Sequence, residues 1–335
     1  MLGRLVCFVL LLIFSLDAGA EALNVGFHRL QLSDPLDHKA MRAIAFYPTQ
    51  APAQPTTIGL FTLPLAEDAP MQGQAHPLLV ISHGNGGTPL ALRDLVLALA
   101  QRGFIVVTLV HPGDNLHDQS RLGALSNLYG RPLQVSEAIN AALRDDRLAS
   151  AIDPQRIGVI GYSAGGETAL ILAGAQPRLE RLRHYCTKRP EDRDACSARG
   201  ELLADRSDLA PQADGRVRAV MLLAPLGLMF GRHELESVAV PVSIYSGDND
   251  QVLDWTRNAG ALARKLPSAY FHVLSGAGHF VFMAPCNDAE TAATPGLCLD
   301  AEGVDRQAIH RDLIDDASRF FAEQLASAPM QAMLR

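Results

Sequence analysis

The chain is 335 residues long, 48% hydrophobic and only 19% charged, with a formal net charge of −7. That length and apolar content suffice for one large α/β domain with a sizeable core. The acidic balance, with no lysine or arginine run, argues against a nucleic-acid partner.

The first twenty residues stand apart. Arg4 precedes an apolar run from Leu5 to Leu16, and Ala18-Gly19-Ala20 follows it. Charge, short apolar stretch and small-residue site together predict a secretory signal peptide over residues 1–20. The run is short for a membrane span, which leaves an uncleaved anchor as the alternative. Cys7 lies too early for a lipid-attachment cysteine at a cleavage point. The expectation is a periplasmic or secreted protein over residues 21–335, with no stable membrane anchor once the peptide is removed. Four cysteines then remain: Cys186, Cys196, Cys286 and Cys298. An even number in an exported chain suggests disulfides. Three pairings are open, and the short separations favour Cys186 with Cys196 and Cys286 with Cys298. A zinc site is the rival, but neither pair has C-x-x-C spacing, so no metal is expected.

In chain order, Ala22 to Asp34, Arg42 to Pro48 and Thr56 to Leu65 read as an antiparallel start to a sheet. Leu78 to Ser82 is a buried strand running into His83-Gly84-Asn85-Gly86-Gly87. Thr88 is expected to cap a helix with Pro89 at its first position, running to about Arg102 and ended by Gly103. Phe104 to Val110 is the next strand, leading to His111-Pro112-Gly113-Asp114. A polar loop extends to about Arg131, and Leu133 to Ser150 reads as helical. Asp153-Pro154 is expected to turn the chain into a central strand, Ile157 to Ile160, with a helix from Glu167 to Ala175 beyond it. Residues 176–216 carry many charges of both signs and the first cysteine pair. They read as a cap or lid, with an exposed loop as the alternative. Val217 to Ala224, Val240 to Ser246 and Tyr270 to Leu274 are strands, Asp254 to Leu266 a helix, and Asp305 to about Ala326 the last helix. Alternating strand and helix predict one mostly parallel α/β sheet.

Between the central strand and its helix sits Gly161-Tyr162-Ser163-Ala164-Gly165, a G-x-S-x-G pattern. A sharp strand-to-helix turn strains its central serine, and glycines two places either side relieve the crowding. Such a turn lifts the serine hydroxyl clear of the sheet at the positive end of the helix. A serine is a weak nucleophile and needs a base within hydrogen-bond reach. His279 follows the last strand in a glycine-rich loop and is the best candidate. The imidazole needs a carboxylate to fix its tautomer. The preceding strand ends in Gly247-Asp248-Asn249-Asp250, and Asp250 is preferred over Asp248, with Asp254 a distant third that reads as a helix cap. Negative charge on the substrate oxygen calls for backbone N–H donors. These are assigned to Ala164, next to the nucleophile, and Asn85 in the H-G-x-G-G loop. His83 reads as structural.

These pieces carry a resemblance. The chain resembles the α/β-hydrolase superfamily and, within it, the bacterial group of predicted dienelactone hydrolases related to platelet-activating factor acetylhydrolase. The matching stretches are Ser82 to Gly87, His111 to Asp114, Gly161 to Gly166, Gly247-x-x-Asp250 and Gly278-His279-Phe280. The resemblance implies a mostly parallel eight-stranded sheet flanked by helices, Ser163, Asp250 and His279 as a triad, and donors at Asn85 and Ala164. True dienelactone hydrolases use cysteine where this chain has Ser163, so the label says little of substrate. The expected function is an exported serine hydrolase of small, soluble carboxylic esters with short acyl groups, needing no cofactor. The alternatives are an amidase or peptidase on the same triad, and a non-catalytic binding protein on a hydrolase fold.

Overall fold

The computed structural model describes residues 23–326; the candidate signal peptide lies outside them. Four strands open the chain: β1 (Asn24–Ser33), β2 (Ala40–Thr49), β3 (Gln54–Ile58) and β4 (Phe61–Glu67). Then come β5 (His76–Ser82), α1 (Arg93–Gln101), β6 (Ile105–Leu109), α2 (Leu125–Leu128), α3 (Gly130–Arg144), β7 (Ile152–Tyr162) and α4 (Ala164–Leu172). The rest comprises α5 (Leu179–Lys188), β8 (Val217–Leu223), β9 (Val242–Gly247), α6 (Ala259–Ala263), β10 (Tyr270–Leu274), α7 (Asp288–Ala293), α8 (Pro295–Cys298) and α9 (Arg306–Gln324).

The sheet has ten strands in the order β10-β9-β8-β7-β5-β6-β2-β1-β4-β3. That is two more than the eight implied by the family resemblance. One reason lies at Thr56 to Leu65, expected as a single strand. Gly59 takes φ +60, and the chain folds back there into the β3–β4 hairpin. From β10 to β6 every neighbouring pair is parallel, and β6–β2 and β2–β1 are antiparallel. The strands at the centre are buried on both faces: all seven residues of β5 and all five of β6 are buried. Such sheets read as continuous apolar runs because helices cover both sides.

One apolar cluster packs α3, α4 and α6 against one face through residues such as Ile139, Leu170 and Leu262. The other packs α1 and α9 against the opposite face through Leu95, Leu99, Ala317 and Phe321. Each fully buried Leu or Phe of this kind contributes about 1.5–3 kcal/mol.

Several helix boundaries differ from expectation, among them that of the helix expected over 167–175, which runs three residues earlier at each end, from Ala164 to Leu172. Residues 88–92 form tight turns, with Ala91 N–H donating to Thr88 O and Arg93 N–H to Leu90 O, so α1 starts at Arg93 without a side-chain cap. The helix expected over 133–150 begins at Gly130 and stops at Arg144, because the Asp145 carboxylate takes the N–H groups of Arg147 and Leu148 and turns the chain. The segment from Asp254 reaches helical form only at Ala259. Asn258 Oδ1 accepts from Gly227 N–H at 2.9 Å, and Asp254 bonds the N–H and hydroxyl of Thr256 rather than capping a helix. Asp153-Pro154 lies within β7 rather than forming a turn before it.

Both favoured cysteine pairs are disulfide-bonded, with Cα atoms 5.3 Å apart for Cys186–Cys196 and 5.7 Å for Cys286–Cys298. Among the described residues, no helix is long and apolar enough to cross a membrane.

Candidate active site

Because β5, β7, β9 and β10 run parallel, the loops that follow them share one edge of the sheet, the edge where open α/β sheets place their sites. Ser163 is the single residue between β7 and α4. Its backbone has φ +55 and ψ −117, a conformation that costs a residue with a side chain about 1–3 kcal/mol. The surroundings hold it there. Ser163 N–H donates to Leu223 O at 2.9 Å, and Ser163 O accepts from the N–H groups of Gly166 and Leu226. The flanking glycines are required by close approach. A Cβ on Gly161 would overlap the carbonyl of Gly165, and one on Gly165 would overlap the carbonyl of Ser82 at the end of β5.

The Ser163 hydroxyl lies 3.0 Å from His279 Nε2, and His279 Nδ1 lies 2.7 Å from Asp250 Oδ2. The imidazole and the carboxylate are both buried. Asp250 Oδ1 accepts from the N–H groups of Val252 and Leu253, at 2.9 and 2.7 Å. One carboxylate thus fixes its own loop with one oxygen and the imidazole with the other. Asp248 is turned away, its Oδ1 accepting from Gly276 N–H at 2.6 Å. Gly247 is required by close approach: a Cβ there would overlap the carbonyl of Ala277, so the two loops could not lie side by side. The Tyr162 hydroxyl donates to His279 O at 3.2 Å and braces the histidine loop from beneath. Burial, with the Asp250 charge nearby, pushes that phenol well above its ordinary range.

Asn85 and Ala164 both border the same cavity as Ser163 and His279. Neither backbone N–H donates to an acceptor among the described residues. A polar network that the sequence did not reveal shapes the Asn85 loop. Asp114 Oδ1 accepts from Gly86 N–H at 2.7 Å, and its Oδ2 accepts from Asn127 Nδ2 at 2.9 Å and Arg131 Nη1 at 2.5 Å. Arg131 Nη2 also donates to His83 O and to the Ser82 hydroxyl. Asp114 and Arg131 are an almost fully buried ion pair. His83 donates from Nδ1 to Gly84 O at 2.7 Å, the structural part expected of it. His111 donates from Nδ1 to Gln134 Oε1 at 2.7 Å and accepts at Nε2 from Ser82. Burial, with the Arg131 charge beside it, brings His83 down to about 4, and the same two causes hold His111 well below its ordinary value. Both stay neutral and work as hydrogen-bonding struts.

The cavity in front of Ser163 measures about 640 Å³. Part of its wall comes from the two disulfide-bearing segments. Residues 176–216, expected as a cap or exposed loop, contribute Leu182, Ala195 and Leu202, and the later segment contributes Leu297 with both cysteines of its disulfide. Glu167, one turn into α4, also borders the cavity and is 8% exposed. Burial pushes its carboxyl up to about 8, the Asp114 charge also raising it and Arg131 opposing. Among the described residues, no group of three or more His, Cys, Asp or Glu side chains is placed to hold a metal ion.

A largely parallel sheet with a strained serine between strand and helix is the arrangement of the α/β-hydrolase fold, here with ten strands. Solved structures carry the same likeness. A ferulic acid esterase from Streptomyces cinnamoneus matches with a TM-score of 0.62 and 17% identity, over 93% of this chain and 93% of its own. A dienelactone hydrolase-like promiscuous phosphotriesterase from metagenomic libraries matches with a TM-score of 0.52 and 12% identity, over 90% of this chain and 99% of its own. Among curated proteins, Lipase 1 from a Moraxella species is 36% identical over 75 residues, which is 22% of this chain and 20% of the lipase. The match therefore spans only a fifth of that relative's length. No protein-family model matches the chain.

Proposed function

We propose that this chain is a serine hydrolase that cleaves carboxylic esters through an acyl-enzyme. Ser163 is the nucleophile, His279 the general base and acid, and Asp250 the residue that orients the imidazole. The observation that carries the reading is the continuous line of contacts from Ser163 Oγ to His279 Nε2 at 3.0 Å and from His279 Nδ1 to Asp250 at 2.7 Å. As Oγ bonds to the acyl carbon, its proton passes to Nε2. The oxyanion that forms faces the N–H groups of Asn85 and Ala164, donors of a kind worth about 10²–10³ in turnover each. His279 then returns the proton to the departing alkoxide. Water attacks the acyl group by the same steps in reverse, releasing the acid and restoring Ser163. Nothing in these steps calls on a cofactor.

A cavity of about 640 Å³ has room for a whole small ester on both sides of the bond to be cut. The charged stretch from Arg178 to Arg206 favours soluble esters over fat droplets, which call for a broad apolar docking patch. The esterase and lipase names of the similar proteins agree with ester chemistry. The test is fluorophosphonate labelling with a p-nitrophenyl ester series of rising acyl length. Wild type is expected to label at Ser163, and Ser163→Ala to neither label nor turn over while keeping its melting temperature. Near-normal turnover by folded Ser163→Ala would overturn the assignment.

A further inference from the structure

A single 3₁₀ turn, His279–Phe282, carries the candidate general base. Groups from outside the turn hold it in place. Tyr162 donates to His279 O, and just beyond the turn Ala284 N–H donates to Ala91 O at 2.9 Å. A further anchor comes from α9. His310 donates from Nε2 to Val281 O at 2.7 Å, and its Nδ1 lies 2.5 Å from Asp94 Oδ2 of α1. His310 is 2% exposed and does not border the cavity, so it cannot touch a substrate there. We propose that His310 is a positioning residue for the general base, acting through Val281 O, and that Asp94 aims its ring.

The chemistry of the contacts divides the work. A carboxylate and a backbone carbonyl only accept, so the ring makes both contacts by donating from both nitrogens. The Asp94 carboxylate is committed to this ring: its other oxygen, Oδ1, is buried without a partner among the described residues. It sits in the first turn of α1, where the positive end of a helix favours a carboxylate. The same stretch grips the segment after the turn, through Ala91 O and through Arg93 Nη2, which donates to Pro285 O at 2.9 Å. The start of α1 and the flank of α9 therefore clamp one loop between them. Val281 is fully buried two residues beyond His279, so a shift of its carbonyl carries the imidazole along. His279 Nε2 lies 3.0 Å from Ser163 Oγ, and a misplacement of about 1 Å at such a contact costs about 10²-fold in rate.

The inference rests on His279 being the general base, and the experiment separates the two. Glutamine and asparagine split the two contacts of His310. The amide nitrogen of glutamine falls near the place of Nε2, and that of asparagine near Nδ1. His310→Gln therefore keeps a donor for Val281 O, whereas His310→Asn keeps one for Asp94 alone. Turnover of p-nitrophenyl acetate is measured well below each melting temperature, where each protein is fully folded. His310→Asn is expected to lose at least about tenfold in kcat with KM within about twofold, and His310→Gln to stay within about threefold of wild type. A merely structural role would lower the melting temperatures and leave kcat of the folded proteins alike. Equal kcat in the two variants, or the greater loss in His310→Gln, overturns the proposal. If His310→Asn does not fold, Asp94 gives the same test. Asp94→Asn can donate to Nδ1 and should keep its kcat, whereas Asp94→Leu leaves the ring unaimed and should lose at least about threefold; equal kcat in that pair refutes the proposal. If wild type turns over no ester, the assignment of the base fails instead. Deuterium exchange of the amides over residues 278–284 then decides the anchor, expected about tenfold faster in His310→Asn than in His310→Gln, with equal exchange refuting it.

Discussion

Asp250 and Asp248 leave the same strand two residues apart, yet they face different partners, and exchanging each for asparagine separates their roles. In Asp250→Asn, the side-chain oxygen can stay on the N–H groups of Val252 and Leu253, so the loop keeps both anchors. The amide nitrogen then faces His279 Nδ1, where a carboxylate oxygen sat at 2.7 Å. An N–H facing an N–H is untenable, so the imidazole shifts its proton to Nε2. That nitrogen, 3.0 Å from Ser163 Oγ, can no longer accept the serine proton. The same exchange in the best-studied Ser-His-Asp triad lowers turnover about 10⁴-fold. A loss of that order in kcat is expected here, with the melting temperature almost unchanged. Asp248→Asn keeps an oxygen for Gly276 N–H and should cost less than about tenfold. The assay is kcat on one soluble ester plus a thermal melt for each protein. An inactive Asp248→Asn beside an active Asp250→Asn would refute the reasoning.

Arg131→Met strips the buried Asp114 carboxylate of its cation and should destabilise the fold by about 3–5 kcal/mol, read as a lower urea midpoint; an unchanged midpoint would show that the pair contributes little. Gly165→Ala drives a methyl group into the Ser82 carbonyl and should cost about a hundredfold in turnover by shifting Ser163, whereas Gly215→Ala, with nothing near its added Cβ, should be neutral in the same assay. Glu167 has a folded-state pKa raised from 4.5 to about 8, so between those values the native chain holds a proton that the unfolded chain releases. Stability should therefore fall with rising pH across that window, by at most about 1.4 kcal/mol per pH unit. Glu167→Gln should remove that slope, and parallel stability–pH curves for the two proteins would contradict the buried, protonated carboxyl.

What was legible in the sequence was what chemistry ties to fixed spacing. The strand-turn-helix around Ser163 can be read because close approach at Gly161 and Gly165 admits no side chain. His279 and Asp250 could be placed because parallel strands send their following loops to one edge. Asp250 was preferred over Asp248 on the ground that the residue next to the strand end is committed to its own turn; Asp248 is indeed turned away from His279, but its partner is Gly276 N–H in the loop after β10, not its own turn. Contacts between distant segments were not legible. Asn127 and Arg131 come from the polar loop that followed the His111–Asp114 stretch, and their convergence on Asp114 depends on how α2 and α3 dock. One signal for Glu167 was present: it is the only ionisable residue in a nine-residue helix that is otherwise apolar or small, every residue of which is buried. Helix limits failed where side chains outbid the backbone, as Asn258 does by holding Gly227 N–H and Asp145 by capturing the turn after α3.

Ser163, Asp250 and His279 hang from strand ends, while part of the cavity wall is borne by two loops, each closed by its own disulfide. Each loop can be lengthened, shortened or re-lettered between its cysteines without moving a strand, because the cross-link keeps its two ends together. Mutational drift can therefore explore new substrates at little risk to the reaction itself. Reducing the two bonds should reverse that insulation: the walls lose their fixed outline first, and selectivity among esters should blur before the serine stops being acylated.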